Sequence, residues 1–394
     1  MLAYTFYESD ARVMRYADTM AARGDRVDVI TLRRFDGEQD SIVNGVNVFR
    51  IQTRILDEPN KSAYLFRLLA FLVKSSWMLW RRHRRIRYDL IHVHSVPDFL
   101  VFAALLPKLA GAKVILDIHD ILPELYVSKF GVGSESLAFK SLLLVERVSA
   151  RIADHVIIAN DLWRDRLVRR SVPEAKCTTI MNYPDFSIFR RSGRTRNDGR
   201  FVILYPGSLN WHQGVDIAIR ALAKICERVP NVELQIYGRG PEEQNLMALV
   251  SQLGLENRVV LRDCVSLREM AHIMENADLA VVPKRCNLFS NEAFSTKTLE
   301  FMAMGVPVIV AATDIDKYYF NDSQVMFFRP DDERDLAAVM LQLIESPELR
   351  QELIGRGSKF AALHDWEKKK SLYLDIVSSL TGLICHPVEQ VVAK

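Results

Sequence analysis

The stretch NEAFSTKTLEFMAMGVPVIV, residues 291–310, sets Glu292 and Glu300 eight positions apart with Lys297 between them. Carboxylates accept hydrogen bonds from hydroxyls, and an ammonium meets an anion. Gly305-Val306-Pro307 is a helix stop: a glycine able to turn left-handed, then a proline that cannot continue the helix. The pattern therefore predicts a helix over 296–304. Ser295 or Thr296 can cap its start, where four backbone N–H groups lack helical partners. Such an end suits a phosphate. Lys297 falls in the first turn, where the helix dipole disfavours a cation; a bound anion removes that conflict. Glu300 stands one turn further in, placed for a diol such as a ribose, and Glu292 precedes the helix, placed for other hydroxyls. A charge-assisted hydrogen bond contributes about 1.5–3 kcal/mol, so two carboxylates suffice to orient a sugar nucleotide. An exposed helix start carrying surface charges would show the same spacing.

The rest of the chain must position these groups. At 394 residues it is too long for one ordinary core, and two domains are expected. Hydrophobic residues make up 49% and charged residues 26%, as in a globular chain with aqueous surroundings. A net charge of +3 is small for this length and gives no ground for nucleic acid as the partner. The five cysteines, at 177, 226, 264, 286 and 385, are scattered without metal or redox spacing, which predicts a reduced, cytoplasmic protein. MLAYTFYESD has no basic segment followed by an apolar run, so no secretory signal is expected. YLFRLLAFLVKSSWMLW (64–80) contains Arg67 and Lys74 and is shorter than the roughly 20 residues of a membrane span.

Apolar β-type runs alternate with helical segments. RVDVITL (26–32), YDLIHVHS (88–95), AKVILDIHD (112–120) and DHVIIAN (154–160) read as buried parallel strands, separated by VMRYADTMAARG, FLVFAALLPKLAG and SLLLVERVSARIA at helical spacing. LAYTF is a short first strand, or one lacking a few residues ahead of it. FRRSGRTRNDGR (189–200) is polar and basic and reads as a linker. The alternation then restarts with FVILYPGS (201–208), VELQIYGRG (232–240), RVVLRD (258–263), ADLAVVP (277–283) and VPVIVA (306–311). Two doubly wound α/β domains follow, spanning 1–188 and 200–364, with a closing helix and tail over 365–394. Ligands of such sheets bind beyond the C-terminal strand ends, which directs attention to the loops near 7–12, 94–98, 119–124, 207–214, 238–242 and 284–297 and to a cleft between the domains.

EAFSTKTLEFMAMGVPVIV resembles the Glu-x7-Glu motif of glycosyltransferase family 4, whose fold is GT-B, two Rossmann-like domains facing across a cleft with the C-terminal helix closing back on the N-terminal domain. YPGSLNWHQGVDIAIRALAKI (205–225), IYGRGPEEQNLMALVSQLGLENRVVLRD (236–263), MNYPDFSIFR (181–190) and DIHDILPELY (117–126) resemble further segments of that family, so the likeness covers nearly the whole chain.

The resemblance implies roles. Glu300 would hold the ribose and Glu292 the donor sugar, and the backbone of Phe294, Ser295, Thr296 and Lys297 would cradle the diphosphate. Thr296-Lys297-Thr298-Leu299-Glu300 fits a variant with lysine as phosphate ligand. Many relatives carry an arginine and a lysine where this chain has Ser208 and Gln213, so two diphosphate cations are missing; Lys297, Arg239, Lys284 or Arg285 would compensate, with Gly207 and Gly214 letting backbone approach the phosphates. Turn geometry alone also accounts for either glycine. The resemblance places His119 against the donor sugar near the reaction centre. Asp120 and Glu124 follow it; Asp120 can cap the next helix, and Glu124 can simply occupy its first turn. Asp10 and Arg12 lie where the family has its acceptor loop, often with a Gly-Gly pair that is absent here.

Other motifs are weaker. His92 and His94 share one strand face and read as structural. The DID at 314–316 matches an Asp-x-Asp metal motif in the wrong context, and no catalytic metal or other cofactor is expected; Lys297 and helix N-termini would stabilise the leaving diphosphate. RRHRRIR (81–87) beside Trp77, Trp80 and Phe71 suits either an anionic membrane surface or a packed helix with a solvated basic end.

The sequence is thus read as a retaining glycosyltransferase. It would move sugar from a nucleoside diphosphate sugar to a hydroxyl of a polysaccharide or lipid-linked acceptor, in the cytoplasm or at the inner membrane face. No carboxylate is placed as a covalent nucleophile, which favours front-face transfer. A sugar-nucleotide epimerase and a non-catalytic binding scaffold of the same fold are the alternatives. A dinucleotide dehydrogenase is excluded, because no Gly-x-Gly-x-x-Gly follows the first strand.

Overall fold

A computed structural model of the chain describes residues 1–35, 37–54, 61–131, 133 and 135–382. The chain divides into two compact units. Unit 1 is Met1–Asn182 with the chain from Lys370 onward, and unit 2 is Tyr183–Lys369.

Unit 1 is built on a sheet of β1 (Leu2–Ala3), β2 (Asp28–Arg33), β3 (Asp40–Val43), β4 (Val46–Thr53), β5 (Leu90–His94), β6 (Lys113–Ile118), β7 (His155–Ile158) and β8 (Cys177–Thr179). Their order across the sheet is β3-β4-β2-β1-β5-β6-β7-β8. All neighbours are parallel except the β3–β4 pair. That hairpin is absent from the sequence reading. It turns on Asn44-Gly45, both at positive φ (50° and 79°), the two-residue turn whose twist matches paired strands. The helices are α1 (Ala11–Ala22), α2 (Lys61–Ile86), α3 (Leu105–Leu109), α4 (Leu122–Phe130), α5 (Leu137–Ile152) and α6 (Asp161–Arg170). The segment expected as one helix over 99–111 instead begins as a 3-10 helix, Asp98–Ala104, before α3. Pro107 is the reason: it has no N–H, and its ring clashes with the carbonyl four residues back. The sheet order reverses between β1 and β5, so the loops after β1, β5 and β6 border the switch point.

Unit 2 contains β9 (Phe201–Pro206), β10 (Val232–Tyr237), β11 (Val259–Arg262), β12 (Leu279–Val282), β13 (Val308–Ala311) and β14 (Met326–Phe328), all parallel in the order β11-β10-β9-β12-β13-β14. Its helices are α7 (Val215–Ile225), α8 (Glu243–Gln252), α9 (Leu267–Glu275), α10 (Thr296–Ala303), α11 (Asp314–Tyr319), α12 (Glu333–Glu345) and α13 (Pro347–Leu363). Alternate residues of each strand face opposite layers. Ile203 and Tyr205 pack with α7, α8 and α12, whereas Val202 and Leu204 pack with α9 and α10. Here the order reverses between β9 and β12, the doubly wound arrangement with its ligand crevice at that point.

The segment 189–200 has no helix or strand, yet it is not a free linker. Ser192 and Gly193 donate to the Glu275 carboxylate at 2.6 Å, and Arg196 pairs with Asp278. It therefore belongs to unit 2. The last helix, α14 (Trp366–Thr381), joins unit 1 from Lys370. Its buried Tyr373 lies 4.3 Å from the Tyr16 ring, and its hydroxyl meets His92 Nδ1 at 3.1 Å.

Candidate active site

At the unit 2 switch point two loops meet. One leaves β9 and runs through Gly207–Gly214 to α7; the other leaves β12 and runs to α10. Gly214 has φ +66°, and a Cβ there would stand 2.0 Å from the Pro283 carbonyl oxygen, so only glycine lets the loops close on each other. Gly207 has φ +143°, and its Cβ would stand 2.3 Å from Lys297 Cε. The Lys297 side chain thus lies across bare backbone at Gly207. Tyr205 holds the first loop from beneath: its buried hydroxyl donates to the Ser208 carbonyl at 2.9 Å and reaches Gln213 Oε1 at 3.3 Å. No sequence pattern singles out Tyr205 for this task.

Helix α10 ends as the sequence requires. Gly305 has φ +67°; its N–H donates to Met302 and that of Val306 to Phe301, the paired bonds of a glycine C-cap. Its start is different from the expectation. Ser295 sits at the cap position but makes no side-chain cap. Its hydroxyl and that of Thr298 are buried without a hydrogen-bond partner among the described residues. Such orphaned groups are rare in native structures and need an explanation.

Lys297 is half-buried over the Tyr205 ring, with Nζ 5.6 Å from the centroid. Among the described residues it has no hydrogen bond or ion pair. Burial lowers its pKa to about 8; Glu300 opposes the shift and Lys284 adds to it. One turn on, Glu300 is half-buried, as are Glu292, Phe294 and Thr296 near the helix start. The Phe294 ring packs on Tyr319 and Phe320, 5.1 and 5.9 Å between centroids, so its side chain serves the core.

The other candidate cations are already committed. Lys284 is buried, and its Nζ donates to Asp316 Oδ2 and to the Ala293 carbonyl, both at 2.7 Å. It is a strut under the loop that carries Glu292, not a cation left for phosphate. Arg285 pairs with Asp216 and Asp331. Arg239 is exposed and forked on Asp263. The DID motif separates by environment: Asp316 is buried on Lys284, while Asp314 is exposed and accepts from Asn291.

In unit 1, Asp10 caps α1, accepting from the Val13 N–H at 3.1 Å. Arg12 is 3% exposed. Its Nε and Nη2 fork onto Asp117 at 2.8 and 2.7 Å, and Nη1 reaches Asn182 at 3.3 Å. All three nitrogens are occupied inside the protein, so the acceptor role expected of Arg12 lacks a free donor. His119 follows β6 with its ring 20% exposed and Nε2 3.2 Å from Asp117 Oδ2. Asp120, next to it, is half-buried, and burial raises its pKa while His119 and Arg12 oppose. Glu124 is buried and paired with Arg170. His92, His94 and Asp117 are buried with ligand-type atoms within 4.8 Å of one another. Arg12 already holds both oxygens of that carboxylate, so the group reads as an ion-pair core. Asp117 lies inside the quoted DIHD but is not a candidate by sequence, since nothing local marks its partner 105 residues away.

Two family models match the chain: a glycosyl transferase 4-like domain over residues 9–182 and a glycosyl transferases group 1 domain over 188–360. The chain is a glycosyltransferase of the family 4 type, with the GT-B fold. It is 28% identical over 338 residues to an uncharacterized glycosyltransferase of Methanocaldococcus jannaschii, covering 80% of each chain. Among solved structures it is similar to the sucrose-phosphate synthase of Thermosynechococcus elongatus (TM-score 0.77, 20% identity, 96% and 98% of the chains covered). It is also similar to Anabaena HepE in complex with UDP-glucose (TM-score 0.72, 17% identity, 96% and 98% covered).

Proposed function

We propose that the protein transfers a sugar, with retention, from a nucleoside diphosphate sugar to a hydroxyl of a glycan or lipid-linked acceptor. The observation that carries this reading is the start of α10. A helix N-terminus with no side-chain cap, and two buried hydroxyls and a half-buried lysine that make no hydrogen bond or ion pair among the described residues, converge there. A diphosphate supplies what all of them lack. Glu300 then takes the ribose and Glu292 the sugar. That HepE was solved with UDP-glucose supports a uridine donor as the first to test. In the reaction the bond from the anomeric carbon to the diphosphate oxygen breaks and a bond to the acceptor oxygen forms on the same face. The acceptor proton passes to the departing phosphate. Lys297 and the α10 N–H groups stabilise that leaving group without a metal ion.

Calorimetric titration of UDP-, GDP-, ADP- and dTDP-sugars, in metal-free buffer, tests the donor site. One nucleotide class is expected to bind, and Glu300→Ala is expected to abolish or strongly weaken it. If the wild-type protein binds none of them, the donor site is wrong and a non-catalytic scaffold takes its place.

We further infer that unit 1 works against an anionic membrane face. Helix α2 presents an exposed stripe of Leu65, Phe66, Leu69, Val73 and Trp77, with Phe66 73% and Trp77 62% exposed. Phe71 is buried in the core and Trp80 is half-buried, so the membrane-facing set differs from the aromatics the sequence suggests. The Arg81 guanidinium lies 5.1 Å from the Trp77 ring. Beside the stripe runs a groove of about 810 Å³ lined by Arg26, Lys74, Arg81 and Arg85, among others. Among the described residues no helix is long and apolar enough to cross a membrane, which leaves α2 lying in the interface. Each surface cation contributes about 1 kcal/mol toward an anionic leaflet. Arg81→Gln/Arg85→Gln should therefore lower sedimentation with phosphatidylserine vesicles about thirtyfold at low salt. Equal binding of the wild type to neutral and anionic vesicles would remove the proposal.

A further inference from the structure

Between β12 and α10, residues 283–295 form no helix or strand, yet the end of this run must set Glu292 and the entry to α10. It is held by the neighbouring element. β12 and β13 pair in parallel, so the chain that leaves β13 into α11 runs beside the chain that leaves β12. All of these residues belong to unit 2.

Asn291, Ala293 and Phe294, which surround Glu292, are each tied to α11 or the residues flanking it. Asn291 Nδ2 donates to Asp314 Oδ2 at 2.6 Å, its Oδ1 accepts from the Asp314 N–H at 3.0 Å, and its carbonyl accepts from the Ile315 N–H at 3.0 Å. One carboxamide thus uses its donor and its acceptor on a single residue. On the other side of Glu292, the Ala293 carbonyl accepts from Lys284 Nζ at 2.7 Å, and the same ammonium lies 2.7 Å from Asp316 Oδ2. Thr313 donates to that oxygen as well. Lys284 is 4% and Asp316 0% exposed. The Phe294 ring then packs on Tyr319 and Phe320.

A buried ion pair contributes little net stability. An apolar pair of similar size would fill the same space but would offer the Ala293 carbonyl no donor. What the pair adds is position: Lys284 reaches from the end of β12 to a carbonyl nine residues on, and Asp316 holds it there.

We propose that Asp314-Ile315-Asp316 is a clamp that sets the Glu292 carboxylate from both sides, Asp314 through Asn291 and Asp316 through Lys284 and the Ala293 carbonyl. Residues two apart on a helix point about 200° apart. The exposed carboxylate therefore meets the carboxamide and the buried one meets the ammonium, so the two diverge and each has its own partner. Asn291, Lys284, Asp314 and Asp316 are positioning residues; that Glu292 meets the donor sugar rests on the reading above.

Hydrogen exchange of the full chain decides the clamp without any ligand. Amide exchange across 286–295 should rise about tenfold in Asp314→Ala and return toward the wild-type rate in Asp314→Asn, whose carboxamide oxygen still accepts from Asn291. Lys284→Met/Asp316→Asn, which removes both buried charges with the tether, should loosen the same segment. Exchange unchanged in Asp314→Ala overturns the clamp. Calorimetry reads the positioning role, with the donor bound in the titration above, UDP-glucose first, and its free nucleoside diphosphate. Asp314→Ala should lower affinity for the nucleotide sugar about fivefold and leave that for the nucleotide alone. In a Glu292→Ala background the same change should have no further effect, because it acts only through that carboxylate. Equal losses in both backgrounds, or an equal loss for the nucleotide alone, overturn the positioning role. A wild type that binds no nucleotide defeats the donor-site reading and the positioning role with it, while the exchange rates alone decide the clamp.

Discussion

Replacing Lys297 by methionine is expected to stabilise the unliganded protein and to weaken nucleoside diphosphate binding by about tenfold to a hundredfold, the range of one charge-assisted hydrogen bond. The two effects have one cause. The ammonium is partly removed from water and, among the described residues, makes no hydrogen bond or ion pair; burial lowers its pKa to about 8 although Glu300 opposes the shift. Methionine keeps the stem that covers Tyr205 and Gly207 and drops the unpaired charge. The pH dependence follows with a definite sign. Between pH 8 and the unfolded value near 10.5 the unfolded chain binds more protons than the folded one, so this group makes stability rise with pH across that window. Affinity for a diphosphate must move the other way, falling as pH rises above 8 and the cation is lost. Differential scanning fluorimetry of wild type and Lys297→Met, with titrations of UDP at pH 7 and 9, separates the cases. A methionine variant that melts lower than wild type, or that binds UDP unchanged, would show that Lys297 is structural.

The second large effect lies in unit 1. Arg12→Met leaves Asp117 buried without its counter-ion and should destabilise by about 3–5 kcal/mol. Arg12→Met/Asp117→Asn removes the charge as well as its partner and should recover most of that loss, because a buried ion pair contributes little net while a broken one costs heavily. Urea midpoints of the full chain, followed by tryptophan fluorescence, report the difference. A double variant no more stable than the single one would mean that Asp117 matters for its shape and not its charge. Acid should act on the same group. A carboxyl whose folded pKa is depressed contributes stability that is present above its unfolded pKa, near 3.9, and disappears as pH falls through the folded value. His94, whose pKa burial lowers, adds an earlier loss, since below about pH 6.5 the unfolded ring takes a proton that the folded one refuses.

Both predictions turn on which cations have partners, and this marks where the sequence stops being readable. The order of strands and helices was legible because each is a local pattern: apolar β-branched runs such as FVILYP, helical spacing in VDIAIRALAKI, and a Gly-Val-Pro stop after α10. The hairpin of β3 and β4 carries a local signal as well, Asn44-Gly45 between strands of alternating burial. The separation of Glu292, Lys297 and Glu300 is likewise fixed by the helix that begins between them.

The availability of each charge is another matter. Lys284, Arg285, Arg239 and Arg12 look equivalent to Lys297 in the sequence, yet all four are paired with carboxylates that the fold brings from elsewhere. Arg239 meets Asp263 24 positions on, Arg285 meets Asp216 69 positions back, and Arg12 meets Asp117 105 positions on. An ion pair forms where the chain places two charges within about 4 Å, and which charges those are depends on sheet order and loop path. The sequence by itself determined the elements, the two switch points they create and the residue types delivered there. The tertiary structure decided that Lys297, at the start of α10, makes no hydrogen bond or ion pair among the described residues. It also decided that Asp117, unmarked by any motif, holds His119 by one of its two nitrogens.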